Sequence, residues 1–138
     1  MENAFPDLGF LSGGIRNVTP RQALELCRKG AILVDVREAV LSRFKMFDVP
    51  EILYCPYSIL EDSFDNLPAG KLIIFADAAG LHSKEAAILA IKRGIGDRVA
   101  NLAGGLVEWE RDGMPLLIDT NEKLSGSCMC QLRPRDKK

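Results

Sequence analysis

Short apolar runs alternate with amphipathic segments along this chain, an order that predicts an α/β domain. Its core should be a central, mostly parallel sheet with helices on both faces. Two observations carry this expectation. Ala31 to Val36 and Leu72 to Ala76 are near-continuous apolar runs, as strands buried on both faces require. Thr19 to Gly30 and Ser83 to Gly94 read as helices with a defined start and stop. Size sets a third bound: 138 residues are enough for one self-sufficient core. With 47% apolar and 27% charged residues, the composition is ordinary for a soluble globular protein.

Taken in order, residues 1–14 read as an arm, followed by a short strand at Ile15 to Val18. Thr19-Pro20-Arg21-Gln22 is a helix start with a capping Thr, Pro in the first turn and Gln at the capping-box position. Ala23, Leu24, Leu26 and Cys27 form its apolar face, and Gly30 ends it. Asp35 interrupts the strand that follows. Arg37 to Phe47 has a helical pattern, with Val40, Leu41, Phe44 and Phe47 on one side. Ile52 to Cys55 is a short strand, Ser58 to Phe64 a weak helix and Asn66 to Gly70 a turn. After the strand at Leu72 to Ala76, Ala86, Ala87, Leu89, Ala90 and Ile91 give the next helix a small-residue surface for close packing. A strand at Arg98 to Leu102, a Gly104-Gly105 turn and a short helix from Leu106 to Asp112 complete the domain, expected to span residues 15–118. Residues 119–138 lack apolar periodicity and read as a flexible basic tail.

Charge and composition exclude several classes of partner. A formal net charge of −1 gives no reason to expect nucleic acid or an anionic membrane surface. No apolar run is long enough to span a bilayer, and Met1-Glu2-Asn3-Ala4 does not resemble a secretory signal. A cytoplasmic location is expected, with no cofactor and no metal. The partner, whether protein or small molecule, and the oligomeric state are not legible. Of the four cysteines, Cys27 and Cys55 sit in apolar patterns as small buried hydrophobes, while Cys128 and Cys130 do not.

The most informative stretch is the loop Asp77-Ala78-Ala79-Gly80-Leu81-His82-Ser83, which joins a buried strand to a helix start. A strand, a tight loop and a helix in this order aim several main-chain N–H groups at one point, backed by the helix dipole. Such a nest suits an anion or a nucleophile that becomes one. This loop contains no Cys, and its strongly polar members are Asp77, His82 and Ser83.

Three segments, in order and spacing, resemble the rhodanese-like (sulfurtransferase) family. Ile32-Leu33-Val34-Asp35-Val36-Arg37-Glu38 is similar to its strand ending in Asp-Val-Arg. Gly80-Leu81-His82-Ser83 followed by Ala86 and Ala87 is similar to its Gly-x-Arg-Ser loop and Ala-rich helix. Asn101-Leu102-Ala103-Gly104-Gly105-Leu106-Val107-Glu108-Trp109 is similar to its Gly-Gly-hydrophobic-x-x-Trp signature. The resemblance runs from about Ile15 to Leu116 and implies a three-layer sandwich. It also implies that the nucleophilic Cys, three residues before the loop Gly, is replaced by Asp77, and the loop Arg by His82. The family's His-Ile-Pro-Gly-Ala stretch is not recognisable in Phe47 to Ile52. A carboxylate cannot form a persulfide, and it would repel thiosulfate or a phosphate-like ligand.

Several readings stay open for these residues. Asp77 satisfies the loop amides itself, serves as nucleophile or base in another hydrolytic reaction, or takes part in recognising a cationic or neutral ligand. Asp35 and Arg37 read as an internal salt bridge, and Trp109 as core or a lid on the sheet edge. Cys128 and Cys130 carry sulfur, redox equivalents or a soft metal, form intermolecular disulfides, or are incidental. An extended tail from Pro115 to Cys128 would reach about 40 Å, far enough to meet the loop. The reading that results is a catalytically degenerate domain used for binding, regulation or assembly. The alternative is a sulfur-transfer or thiol-redox protein that uses Cys128 and Cys130 in place of the loop cysteine.

Overall fold

Thr19 opens the first helix as its sequence requires. Its hydroxyl accepts from the Gln22 N–H at 3.2 Å, and the Gln22 side chain accepts from the Thr19 N–H at 3.0 Å. The computed structural model describes residues 9–38, 44–118 and 132–134. Among them the elements are β1 (Phe10–Ser12), β2 (Ile15–Val18), α1 (Pro20–Arg28), β3 (Ile32–Asp35), β4 (Lys45–Phe47) and β5 (Glu51–Tyr54). There follow α2 (Tyr57–Ser63), β6 (Ile73–Ala76), α3 (Leu81–Lys92), β7 (Val99–Leu102), α4 (Gly105–Arg111), β8 (Leu116–Ile118) and β9 (Leu132–Pro134).

The main sheet has the order β1-β2-β7-β6-β3-β5-β9. From β2 to β5 every pairing is parallel, while β1 and β9 close the two edges antiparallel. Alternate residues of the central strands serve opposite faces, as strand geometry dictates. Leu33 and Ile74 join the cluster under α1 and α4 with Leu24, Cys27, Leu102 and Trp109. Ile32, Val34, Ile73 and Phe75 join the cluster under α2 and α3 with Leu60, Phe64, Ala86, Ala87 and Ala90. The layering is therefore helix, sheet, helix, the α/β arrangement that the alternating sequence predicts.

Three local expectations differ from the structure. Lys45–Phe47 is a strand paired antiparallel with Leu116–Ile118, so the helix expected over Arg37 to Phe47 does not reach its end. Among the contacts that hold that strand, the Arg37 guanidinium donates to the Lys45 carbonyl at 2.8 Å, and Phe47 packs edge-to-face on Trp109 with ring centroids 5.2 Å apart. Val40 and Leu41 lie outside the described residues. Within the expected arm, Phe10–Ser12 pairs with β2 through a Gly13-Gly14 turn in which both residues have positive φ. Within the expected flexible tail, Leu132–Pro134 pairs with β5, with Arg133 opposite Ile52. β9 covers the outer edge of β5, and Pro134 sits at the strand's end, where a missing N–H is tolerated.

Candidate functional site

The loop after β6 lies at the carboxyl end of the sheet, where open α/β folds place their ligands. Asp77 is the first residue beyond the strand and is 6% exposed. One of its carboxylate oxygens accepts from the Gly80 N–H. The other accepts from the His82 N–H at 2.7 Å and the Ser83 N–H at 3.3 Å. Gly80 precedes the first residue of α3 with φ of +96° and has no side chain to cap the helix. Asp77 supplies that cap from within the loop. Its negative charge faces the positive end of the helix dipole and the donors that a helix start leaves unpaired. Hydrogen bonds to a charged acceptor contribute about 1.5–3 kcal/mol each. The nest is occupied by the protein's own carboxylate.

A second wall comes from the Gly-Gly turn. The Leu106 N–H donates to the Asp77 carbonyl at 2.9 Å, and the Val107 N–H to the Ala78 carbonyl at 3.1 Å. Gly105, with φ of +61°, permits this approach, since a Cβ there would stand 2.5 Å from the Asp77 carbonyl oxygen. The start of α4 thus clamps the loop's main chain while Asp77 holds its amides. Ala78, Ala79 and Leu81 remain exposed at the mouth, with Val107 beside them.

His82 sends its peptide N–H to Asp77 but its ring outward, stacked parallel on Tyr57 with centroids 4.8 Å apart. The Tyr57 hydroxyl is pushed above its ordinary pKa chiefly by its hydrogen bond to Glu85, with desolvation and the charges of Glu85 and Glu61 adding to it. Beyond this pair, a cavity of about 460 Å³ runs between α2 and α3, lined by Leu60, Glu61, Glu85, Ile88, Leu89 and Lys92 among others. Glu85 follows His82 by one turn of α3, but the sequence pattern does not bring Tyr57 to them; only the packing of α2 on α3 does.

Asp35 and Arg37 form the internal pair. The guanidinium lies 2.8 Å from the Asp35 carboxylate, both side chains are almost completely enclosed, and the guanidinium also stacks on Phe47 at 5.5 Å. Trp109 is core, fully buried, with its Nε1–H donating to the Pro115 carbonyl at 2.7 Å. Cys27 and Cys55 are buried, and burial pushes the Cys27 thiol up to about 12, with the Glu51 charge adding to it. Cys128 and Cys130 lie outside the described residues. Among those residues, no helix is long and apolar enough to cross a membrane.

The model of the rhodanese-like domain matches residues 19–112, well over half of the chain. The chain belongs to the rhodanese-like domain family. A protein named sulfurtransferase from Allochromatium vinosum is 28% identical over 86 residues, covering 62% of this chain and 78% of that protein. A rhodanese-related protein of Thermoplasma volcanium superposes with a TM-score of 0.64 at 22% identity, covering 75% of this chain and 99% of that one. A Rhodopseudomonas palustris protein of unknown function, described as a possible tyrosine phosphatase, gives a TM-score of 0.63 at 26% identity, covering 76% and 85%. The CoADR-RHD protein of Bacillus anthracis gives a TM-score of 0.64 at 23% identity over 69% of this chain, which spans 16% of that larger molecule.

Proposed function

We propose that this rhodanese-like domain is catalytically degenerate at its loop and serves as a binding, regulatory or assembly module. One observation carries the reading: the Asp77 carboxylate takes the N–H groups of Gly80, His82 and Ser83. On the family resemblance, Asp77 stands where the sulfur-accepting cysteine belongs. A carboxylate there cannot carry a sulfane sulfur, and its charge opposes entry of an anionic donor such as thiosulfate. The exposed His82 ring, in place of the family's loop Arg, further weakens any claim on an anionic substrate. What the loop offers a partner is an apolar mouth of Ala78, Ala79, Leu81 and Val107.

The test is formation of thiocyanate from thiosulfate and cyanide by the whole chain. The binding-module reading expects a rate no higher than that of the uncatalysed mixture. Turnover that disappears in the Cys128→Ser/Cys130→Ser double variant would instead establish the sulfur-transfer alternative. Mass spectrometry of thiols after exposure to a persulfide donor separates the two independently: sulfur on Cys128 or Cys130 favours the carrier.

A further inference from the structure

We propose that Asn17 is a positioning residue for the Asp77 loop, acting through Asn101 and Ser83. Asn17 on β2 and Asn101 on β7 are direct partners in the parallel register. Both are almost completely buried, at 2% and 1% exposure, and Ser83 in the first turn of α3 is at 0%. Three polar side chains in an apolar sheet-helix interface are costly unless their hydrogen bonds are met. Here every link is met, and all run one way. The Ser83 hydroxyl donates to Asn101 Oδ1. Asn101 Nδ2 donates to Asn17 Oδ1 at 2.8 Å, and Asn17 Nδ2 donates to the Ile15 carbonyl at 3.0 Å.

The relay ends on main chain, which cannot rotate to suit its partner, so it transmits a fixed position. At its other end, Ser83 belongs both to the relay and to the nest, because its peptide N–H is one of the donors to Asp77. That donor is the longest of the three, at 3.3 Å, against 2.7 Å for His82. It is the bond most easily lost if the first turn of α3 shifts. Holding the Ser83 side chain against β7 and β2 therefore sets the height of the amide nest over the sheet. This role holds whether or not the loop carries out chemistry, so it survives failure of the function proposed above.

The experiment is backbone-amide hydrogen exchange by NMR on the full chain, comparing Asn17→Leu and Asn17→Asp with the parent. In Asn17→Leu, exchange at His82 and Ser83 is expected to speed up about tenfold relative to core amides of β3 and β6, a local change of about 1.4 kcal/mol. A neutral carboxylic acid in Asn17→Asp reproduces the amide's pattern, its carbonyl accepting from Asn101 and its hydroxyl donating to Ile15. Ionisation removes that donor. Relative to the parent at each pH, the Asp variant should protect His82 and Ser83 at acid pH and lose that protection as pH rises. Should Asn17→Leu fail to fold, the Asp series carries the test alone. Unchanged protection, loss spread equally over β3 and β6, or a ratio flat with pH would overturn the proposal.

Discussion

Two oxygen atoms of Asp77 serve three main-chain donors, and this ratio decides what the residue tolerates. Replacing one oxygen by NH2, as in Asp77→Asn, turns a donor toward donors. We expect a loss of about 1–3 kcal/mol in unfolding free energy, read from the urea midpoint. Equal or higher stability would mean that the carboxylate does not hold the loop. Cys27 gives a second prediction. Its folded pKa lies near 12 against an ordinary 9.0, so the unfolded chain ionises this thiol first as pH rises. The native state then binds the extra proton, and stability falls through the window from about pH 9 towards 12. Urea midpoints across that range should drop less in Cys27→Ala. The position of Asp77 was legible, because a lone acid between an apolar strand and a helix start is conspicuous. The residues around it were less so. Asn17 gave a weak signal as a polar residue between Ile15 and Val18, but its partner across the sheet is 84 residues away.

Among the elements, the loop's shape depends on two helix starts meeting back to back. α3 presents its amides to the Asp77 side chain, and α4 presents the Leu106 and Val107 N–H groups to the carbonyls of Asp77 and Ala78. The second meeting requires Gly105. A Gly105→Ala variant places a methyl 2.5 Å from the Asp77 carbonyl oxygen at positive φ, so either the loop or α4 must move. Thermal unfolding should shift down by several degrees, and the amide resonances of residues 77–83 should move more than those of β3. Unmoved resonances would show that the close approach is not needed. The Gly-Gly turn was legible as punctuation, although its role against Asp77 was not. The pattern over Arg37 to Phe47 misled because apolar spacing at Phe44 and Phe47 suits a helix, whereas Trp109 and the Arg37 guanidinium draw Lys45–Phe47 into a strand. β1 was missed because three exposed residues show no burial pattern, and only Gly13-Gly14 announced the hairpin.

Across the whole molecule, the parallel strands place Asp77, Arg37 and Gly104-Gly105 at the same end of the sheet, after β6, β3 and β7. The parallel sheet behind that convergence was legible, since runs such as Ile32 to Val34 and Ile73 to Phe75 have the continuous apolar character of strands covered on both faces. The antiparallel return of Leu132–Pro134 onto β5 was not, because the apolar signal of a three-residue edge strand is too short to see. The fold is thus that of a sulfur-transfer family, with the nest at the strand ends filled from inside. The most direct measurement is persulfide mass spectrometry on Asp77→Cys after exposure to a sulfane-sulfur donor. One added sulfur atom on the new thiol, with slow release of thiocyanate to cyanide, is the predicted result. A variant that folds normally yet takes up no sulfur at position 77 would contradict the account, because the amide nest would then not be the cradle that the Asp77 carboxylate fills.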